Sequence, residues 1–181
     1  MTHNETVLLQ IARAAISNAL NVPRTADESA PGLSEPGACF VTLTQHGQLR
    51  GCIGSLVAHR SLLNDLKSNA VSAALYDPRF VPLTAAELND TKIEVSLLTP
   101  PEPMQFKDEA DALAQLRPGI DGVVFEFGRY RSTFLPQVWQ QLPTPHEFMA
   151  HLKQKAGLPE DFWAAGVRLS RYTVKKFTEE Q

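Results

Sequence analysis

Apolar residues recur at helical spacing at Val7, Leu8, Ile11, Ala12, Ala15, Ala19 and Leu20 behind Asn4, which predicts an amphipathic first helix needing a partner surface. Pro23, Pro31, Gly32, Pro36 and Gly37 then break any repeat and predict a loop. The pattern next changes to β-branched and aromatic runs. Phe40-Val41-Thr42-Leu43-Thr44, a turn at Gln45-His46-Gly47-Gln48, and Leu49 to Leu56 predict a β-hairpin. With His46-Gly47 as the loop, Gln45 faces Gln48, Val41 faces Cys52 and Cys39 faces Gly54. That register puts Phe40, Leu49 and Ile53 on one face and Arg50 and Cys52 on the other, together with Val41 and Cys39.

Ser61 can cap a helix carrying Leu62, Leu63, Leu66, Ala70, Ala73 and Ala74, expected to cover the Phe40, Leu49 and Ile53 face and to end before Asp77-Pro78. Thr84-Ala85-Ala86-Glu87 reads as a capping box, and Ile93, Val95 and Leu97 alternate as a strand that Pro100, Pro101 and Pro103 stop. Residues 37–100 thus read as a β-β-α-β insert, and residues 1–36 plus 101–181 as an enclosing larger lobe. In that lobe Asp108 caps a short helix, and a hairpin turning at Gly128-Arg129 pairs Phe127 with Tyr130, Phe125 with Ser132 and Val123 with Phe134. Thr144-Pro145-His146-Glu147 starts a last helix with Phe148, Met149 and Leu152 inward, and Lys153 and Lys155 placed to complement its C-terminal dipole. Val167 and Leu169 differ in parity from Tyr172 and Val174, so the last strand is expected to bulge or bend near Ser170 and Arg171.

Composition adds little to this picture. The 181 residues are 43% hydrophobic and 20% charged, ordinary for a folded chain, and the net charge of −3 makes no global case for nucleic acid or an anionic membrane. The basic run Arg168, Arg171, Lys175, Lys176 reads as a solvated strand face. Two cysteines are too few for a disulfide framework, no stretch is apolar enough to span a membrane, and Met1 to Glu5 lack the pattern of a secretory leader. A reduced, cytoplasmic protein is the expectation.

Chemistry concentrates in Leu49-Arg50-Gly51-Cys52-Ile53-Gly54. A guanidinium beside a thiol favours the thiolate and an unpaired arginine clamps anions, while glycines inside a strand mark close packing or a binding surface. A packed, inert cysteine fits the same residues. Walker, dinucleotide, nucleophile-elbow and zincin motifs are absent, the spacing of Cys39, His46, Cys52 and His59 matches no standard zinc site, and no cofactor is named by the sequence.

The hexapeptide resembles the signature of the AMMECR-one domain family, of the type found as protein A of bacterial and archaeal AmmeMemoRadiSam systems. Asp77-Pro78-Arg79-Phe80, Glu94-Val95-Ser96, Phe134-Leu135-Pro136-Gln137-Val138 and Lys155-Ala156-Gly157-Leu158-Pro159 follow in that family's order, over roughly residues 5 to 178. The resemblance implies an α+β fold of two lobes, each an antiparallel sheet flanked by helices, with the hexapeptide beside a cleft between them. It also makes Arg79 a site candidate and suggests Memo-like or radical-SAM proteins of the same pathway as partners. It brings no settled reaction. Two readings stay open: a binding domain using Leu49, Arg50, Gly51, Cys52, Ile53, Gly54 and Arg79, or an enzyme with Cys52 as nucleophile and Arg50 as anion clamp.

Overall fold

A computed structural model describes residues 3–180; Met1 and Thr2, on which the leader reading partly rests, lie outside the described residues. Helices and two four-stranded sheets make the chain α+β. It divides into two units, residues 1–98 with 175–181 and residues 99–174.

In the first unit, α1 (His3–Ala19) and α2 (Leu62–Leu75) cover one face of a sheet ordered β2-β1-β3-β8. Its strands are β1 (Ala38–Gln45), β2 (Gln48–Gly54), β3 (Thr91–Leu98) and β8 (Val174–Thr178). Val7, Ile11 and Ile16 of α1, Leu66, Ala70 and Ala73 of α2, and Cys39, Val41, Leu43, Ile93 and Val95 of the sheet form one core. The first helix therefore belongs with residues 38–98, which corrects its expected place beside residues 101–181. The reason is its apolar stripe, which finds a partner in α2 and the sheet.

The hairpin register begins as expected, with Gln45 opposite Gln48 and Thr44 opposite Leu49, and then a bulge at Arg50 shifts it by one. Leu43 pairs with Gly51, Thr42 with Cys52, Val41 with Ile53 and Phe40 with Gly54. Because side chains alternate, one extra residue exchanges the faces beyond it. Cys39 and Val41 are buried under the helices, whereas Cys52 lies on the opposite face with Thr42. Phe40 and Leu49 are likewise not beneath α2; Phe40 covers Gly54, and Leu49 is 44% exposed.

Local signals place α2 well. Ser61 Oγ accepts from Asn64 N–H at 3.2 Å, and the helix stops ahead of Pro78. Two polar residues on it, Asp65 and Asn69, are buried. Asp65 accepts from Cys39 N–H (2.9 Å), Ser55 Oγ (2.6 Å) and Arg60 Nε (2.8 Å), and Asn69 donates to Cys39 O (2.9 Å). Their partners sit at the end of the hairpin, so the α2–sheet contact has a satisfied polar part as well as an apolar one.

The second unit has its own core, in which α3 (Glu109–Gln115) and α4 (Pro145–Lys155) pack with a sheet ordered β4-β7-β5-β6. These strands are β4 (Glu102–Pro103), β5 (Gly122–Phe127), β6 (Tyr130–Phe134) and β7 (Arg168–Tyr172). Pairing of Phe127 with Tyr130, Phe125 with Ser132 and Val123 with Phe134 follows the sequence reading. Lys153 stands in the last turn of α4 as read and is also buried: only 1% of its side chain is exposed, and its Nζ meets Glu109 at 3.0 Å. Residues 167–178 differ from the reading. No bulge interrupts pairing of Leu169, Ser170 and Arg171 with β5. The chain instead leaves one sheet after Tyr172 and enters the other at Val174, and Tyr172 keeps its parity by lying over Gly122. Ion pairs take up three members of the basic run, Arg168 with Glu126, Arg171 with Asp121 and Lys175 with Glu5.

Candidate functional site

Strand β2 is the edge of its sheet, and an edge presents unpaired N–H and C=O groups. At Cys52 those groups are taken by side chains of the segment that follows α2. Cys52 N–H donates to Asp77 Oδ2 at 3.0 Å, and Arg79 Nη2 donates to Cys52 O at 3.2 Å. Arg79 closes the loop by donating to both carboxylate oxygens of Asp77, from Nε at 3.0 Å and Nη2 at 2.7 Å. A turn makes this possible, for Phe80 N–H reaches Asp77 O at 3.1 Å and Pro78 occupies its second position. Asp77, with a side chain 2% exposed, is held well below the usual carboxylate range, first by Arg79 and then by the Cys52 and Arg79 amides, against the cost of burial. Its partner Arg79 is 55% exposed and lies 5.4 Å from the centre of the Phe80 ring.

The Cys52 thiol is half-buried, and its polar neighbour is Thr42 Oγ1 at 3.3 Å. This closeness follows from the register. The backbone groups of Cys52 point outward to Asp77 and Arg79, so Thr42 and Cys52 are a non-hydrogen-bonded pair, in which side chains approach most closely. Among the described residues no histidine or carboxylate side chain hydrogen-bonds to this thiol. His46 is at the hairpin turn with φ 51°, and His59 Nδ1 is 3.0 Å from Val57 O.

Arg50 does not join the thiol. As the extra residue of the bulge it reaches Glu87, with Nε 3.1 Å and Nη2 3.4 Å from the carboxylate oxygens. Glu87 also accepts from Gln45 Nε2 at 2.9 Å and Thr84 N–H at 3.1 Å. Gln45 and then Arg50 pull its pKa down to about 2. The expected free anion clamp is therefore an ion-paired arginine whose side chain is 11% exposed. Gly51 and Ile53 face the helices, and a Cβ on Gly51 would collide with the Ala73 carbonyl of α2. Of the seven residues singled out in the sequence, Leu49, Cys52, Gly54 and Arg79 lie toward solvent or the open face, and Arg50, Gly51 and Ile53 support them from behind.

No group of three or more His, Cys, Asp or Glu side chains among the described residues is placed to hold a metal ion. Among the same residues, no helix is long and apolar enough to cross a membrane. A polar groove of about 820 Å³ opens elsewhere on the first unit, beside Arg13, Arg24, His46, Lys92 and Glu179, and includes none of the seven residues. Arg13 is fixed there by Glu179, at 2.6 and 2.7 Å.

The model of the AMMECR1 family matches residues 9–177. This chain belongs to that family. AMMECR1-family relatives include a protein of Methanocaldococcus jannaschii, 39% identical over 183 residues that span 96% of this chain and 89% of that protein. Another, from Methanothermobacter thermautotrophicus, is 39% identical over 178 residues, 96% of this chain and 93% of the relative. The crystal structure of an uncharacterized protein from Pyrococcus horikoshii has the same fold, with a TM-score of 0.77 and 31% identity over 99% of this chain and 94% of that one. Family membership thus accounts for the fold, and ligand and reaction have to be argued from the site. Sequence reasoning about this AMMECR1 chain missed Asp77 and Glu87 as the carboxylates that organise the two arginines. Asp77 read as a helix stop and Glu87 as a cap, and both perform those local tasks as well.

Proposed function

We propose that this AMMECR1-family chain is a cytoplasmic binding domain that takes a substrate or protein partner on the surface formed by Leu49–Gly54 and Arg79. The observation that carries this reading is the Asp77–Arg79 clamp on the Cys52 backbone. It fixes one point of an edge strand, and it leaves a half-exposed guanidinium beside a thiol, an exposed glycine and an exposed leucine. Such a surface offers one strong polar anchor set among apolar atoms, which is how binding sites gain orientation. Binding is favoured over nucleophilic catalysis because the thiol has a hydroxyl neighbour and no hydrogen-bonded base among the described residues, and because Arg50 is committed to Glu87. Two free cysteines suit a reducing compartment.

The test is amide chemical-shift mapping with a metabolite library and with purified Memo-like and radical-SAM proteins of the same organism. Shifts concentrated at Leu49–Gly54 and Arg79, and weakened about tenfold or more by Leu49→Asp or Arg79→Ala, are expected. Ligand-induced shifts located elsewhere, or unchanged affinity in both variants, would overturn the reading.

A further inference from the structure

Seven large apolar side chains stand exposed among the described residues, and five of them, Leu49, Leu56, Val57, Tyr76 and Val81, fall in two short segments, 49–57 and 76–81. Those segments are tied to each other by the bonds from Asp77 and Arg79 to Cys52. Tyr76 is 70% and Val81 76% exposed, so the segment bonded to the edge of β2 at Cys52 carries uncovered apolar surface. Clustered exposure of this kind marks an interaction surface, whereas scattered exposed residues need no explanation.

Charge selects the partner. Arg79 and Arg60 are 55% and 33% exposed, while the carboxylates that hold them, Asp77 and Asp65, are 2% and 0% exposed. Residues 49–60 and 76–82 contain no other carboxylate, although the chain as a whole carries a net charge of −3. Nη1 of each arginine makes no hydrogen bond to the described residues; the bonds to Asp77, Cys52, Asp65 and Asn69 use Nε and Nη2. What faces solvent is therefore cationic with free donors, framed by apolar side chains. Tyrosine and arginine are also the residue types that dominate protein interfaces.

We propose that the rim formed by Tyr76, Val81 and Leu49, with the guanidinium groups of Arg79 and Arg60, docks a segment of a partner protein that combines apolar side chains with carboxylates. The proposal deepens the binding reading and rests on it. Recognition runs through side chains, because Asp77 and Arg79 already occupy the edge backbone at Cys52, where an added strand would have to pair. Lipid is the less fitting occupant, since polybasic membrane-binding segments bring about four to eight cations and this rim exposes two arginines.

The experiment pans a phage-displayed random peptide library on the full chain and titrates the best peptide by fluorescence anisotropy. Enriched peptides should carry Asp or Glu next to Leu, Phe or Trp, and should bind less tightly as salt is raised. The Tyr76→Ser/Val81→Ser double variant, altered only at exposed positions, should weaken binding about tenfold or more. Failure to enrich any peptide, enrichment without acidic residues, or equal affinity for the double variant would overturn the proposal. Amide shifts separate it from the reading beneath it. A peptide that perturbs Leu49–Gly54 and Arg79 yet binds the double variant normally leaves the site and removes the rim, and one that perturbs neither removes both. Sedimentation with phosphatidylserine-containing phosphatidylcholine vesicles, or self-association, lost in the double variant would reassign the rim to lipid or to a second copy and overturn it.

Discussion

Replacing Gly51 by alanine adds one methyl group where the α2 backbone already meets β2. A Cβ there would overlap the Ala73 carbonyl oxygen and sit 3.1 Å from its carbonyl carbon and 3.7 Å from its Cα. Backbone cannot rotate aside as a side chain can, so α2 or β2 must move. Ala73 is 1% exposed and adjoins the bonds that end the helix, Tyr76 N–H to Ser72 O and Leu83 N–H to Ala74 O, both 2.8 Å. Overpacking costs about 1–3 kcal/mol, and a backbone obstacle places Gly51→Ala in the upper half of that range, with Gly51→Val beyond about 3 kcal/mol. Each kcal/mol lowers Tm by about 2–4 °C in a chain of this size, so the alanine variant should lose roughly 4–12 °C. Trp139 and Trp163 both lie in the second unit, so tryptophan fluorescence reports on the wrong core. Amide hydrogen exchange at Val41, Leu43 and Val95 reports on the right one and should accelerate. Gly54→Ala probes the other face: its Cβ would overlap Cδ1 and Cγ of the half-buried Phe40 ring, a side chain that has to leave its place, at about 1–3 kcal/mol. Wild-type exchange in Gly51→Ala would refute the assignment of faces in β2.

Alkylation followed residue by residue should label Cys52 well before Cys39, which is fully buried and whose thiol is pushed up by burial and then by Asp65; equal rates would contradict this packing. Asp65→Ala should cost about 3–5 kcal/mol in thermal unfolding, because it leaves Arg60 and the buried Cys39 N–H without their acceptor, and a loss below about 1 kcal/mol would mean the network adds little. Glu87 lies below its ordinary 4.5 in the folded chain, so its stabilisation is complete above that pH and fades as pH falls toward about 2. Acid titration of stability should therefore be shallower in Glu87→Gln over that window, and an unchanged slope would argue against the Gln45–Arg50 cluster. Lys153→Met should change stability by no more than about 1 kcal/mol, since an apolar side chain of similar volume suits a site 1% exposed; a loss above about 3 kcal/mol would make the Glu109 pair essential.

Wherever the decisive partner was a few residues away, the sequence was sufficient. The caps at Ser61, Asp108 and Thr144 and the hairpin from Val123 to Phe134 depend on bonds that short separations determine. The turn at His46-Gly47 likewise fixed Gln45 opposite Gln48. Four residues farther along β2, the same hairpin was decided by tertiary structure. Gly51 faces α2 and Cys52 the other way, as alternation along β2 predicts, but the bulge at Arg50 shifts the pairing by one, so Cys39 and Val41, expected on the Cys52 face, lie under the helices, an outcome alternation within each strand cannot foresee. Asp65 and Lys153 are buried because partners distant in sequence, Cys39 and Glu109, are close in space. The parity change between Leu169 and Tyr172 was visible as a pattern, yet it marked a strand leaving one sheet for another. Local chemistry specifies caps, turns and periodicity; which face is inside depends on what the rest of the chain brings to pack against it.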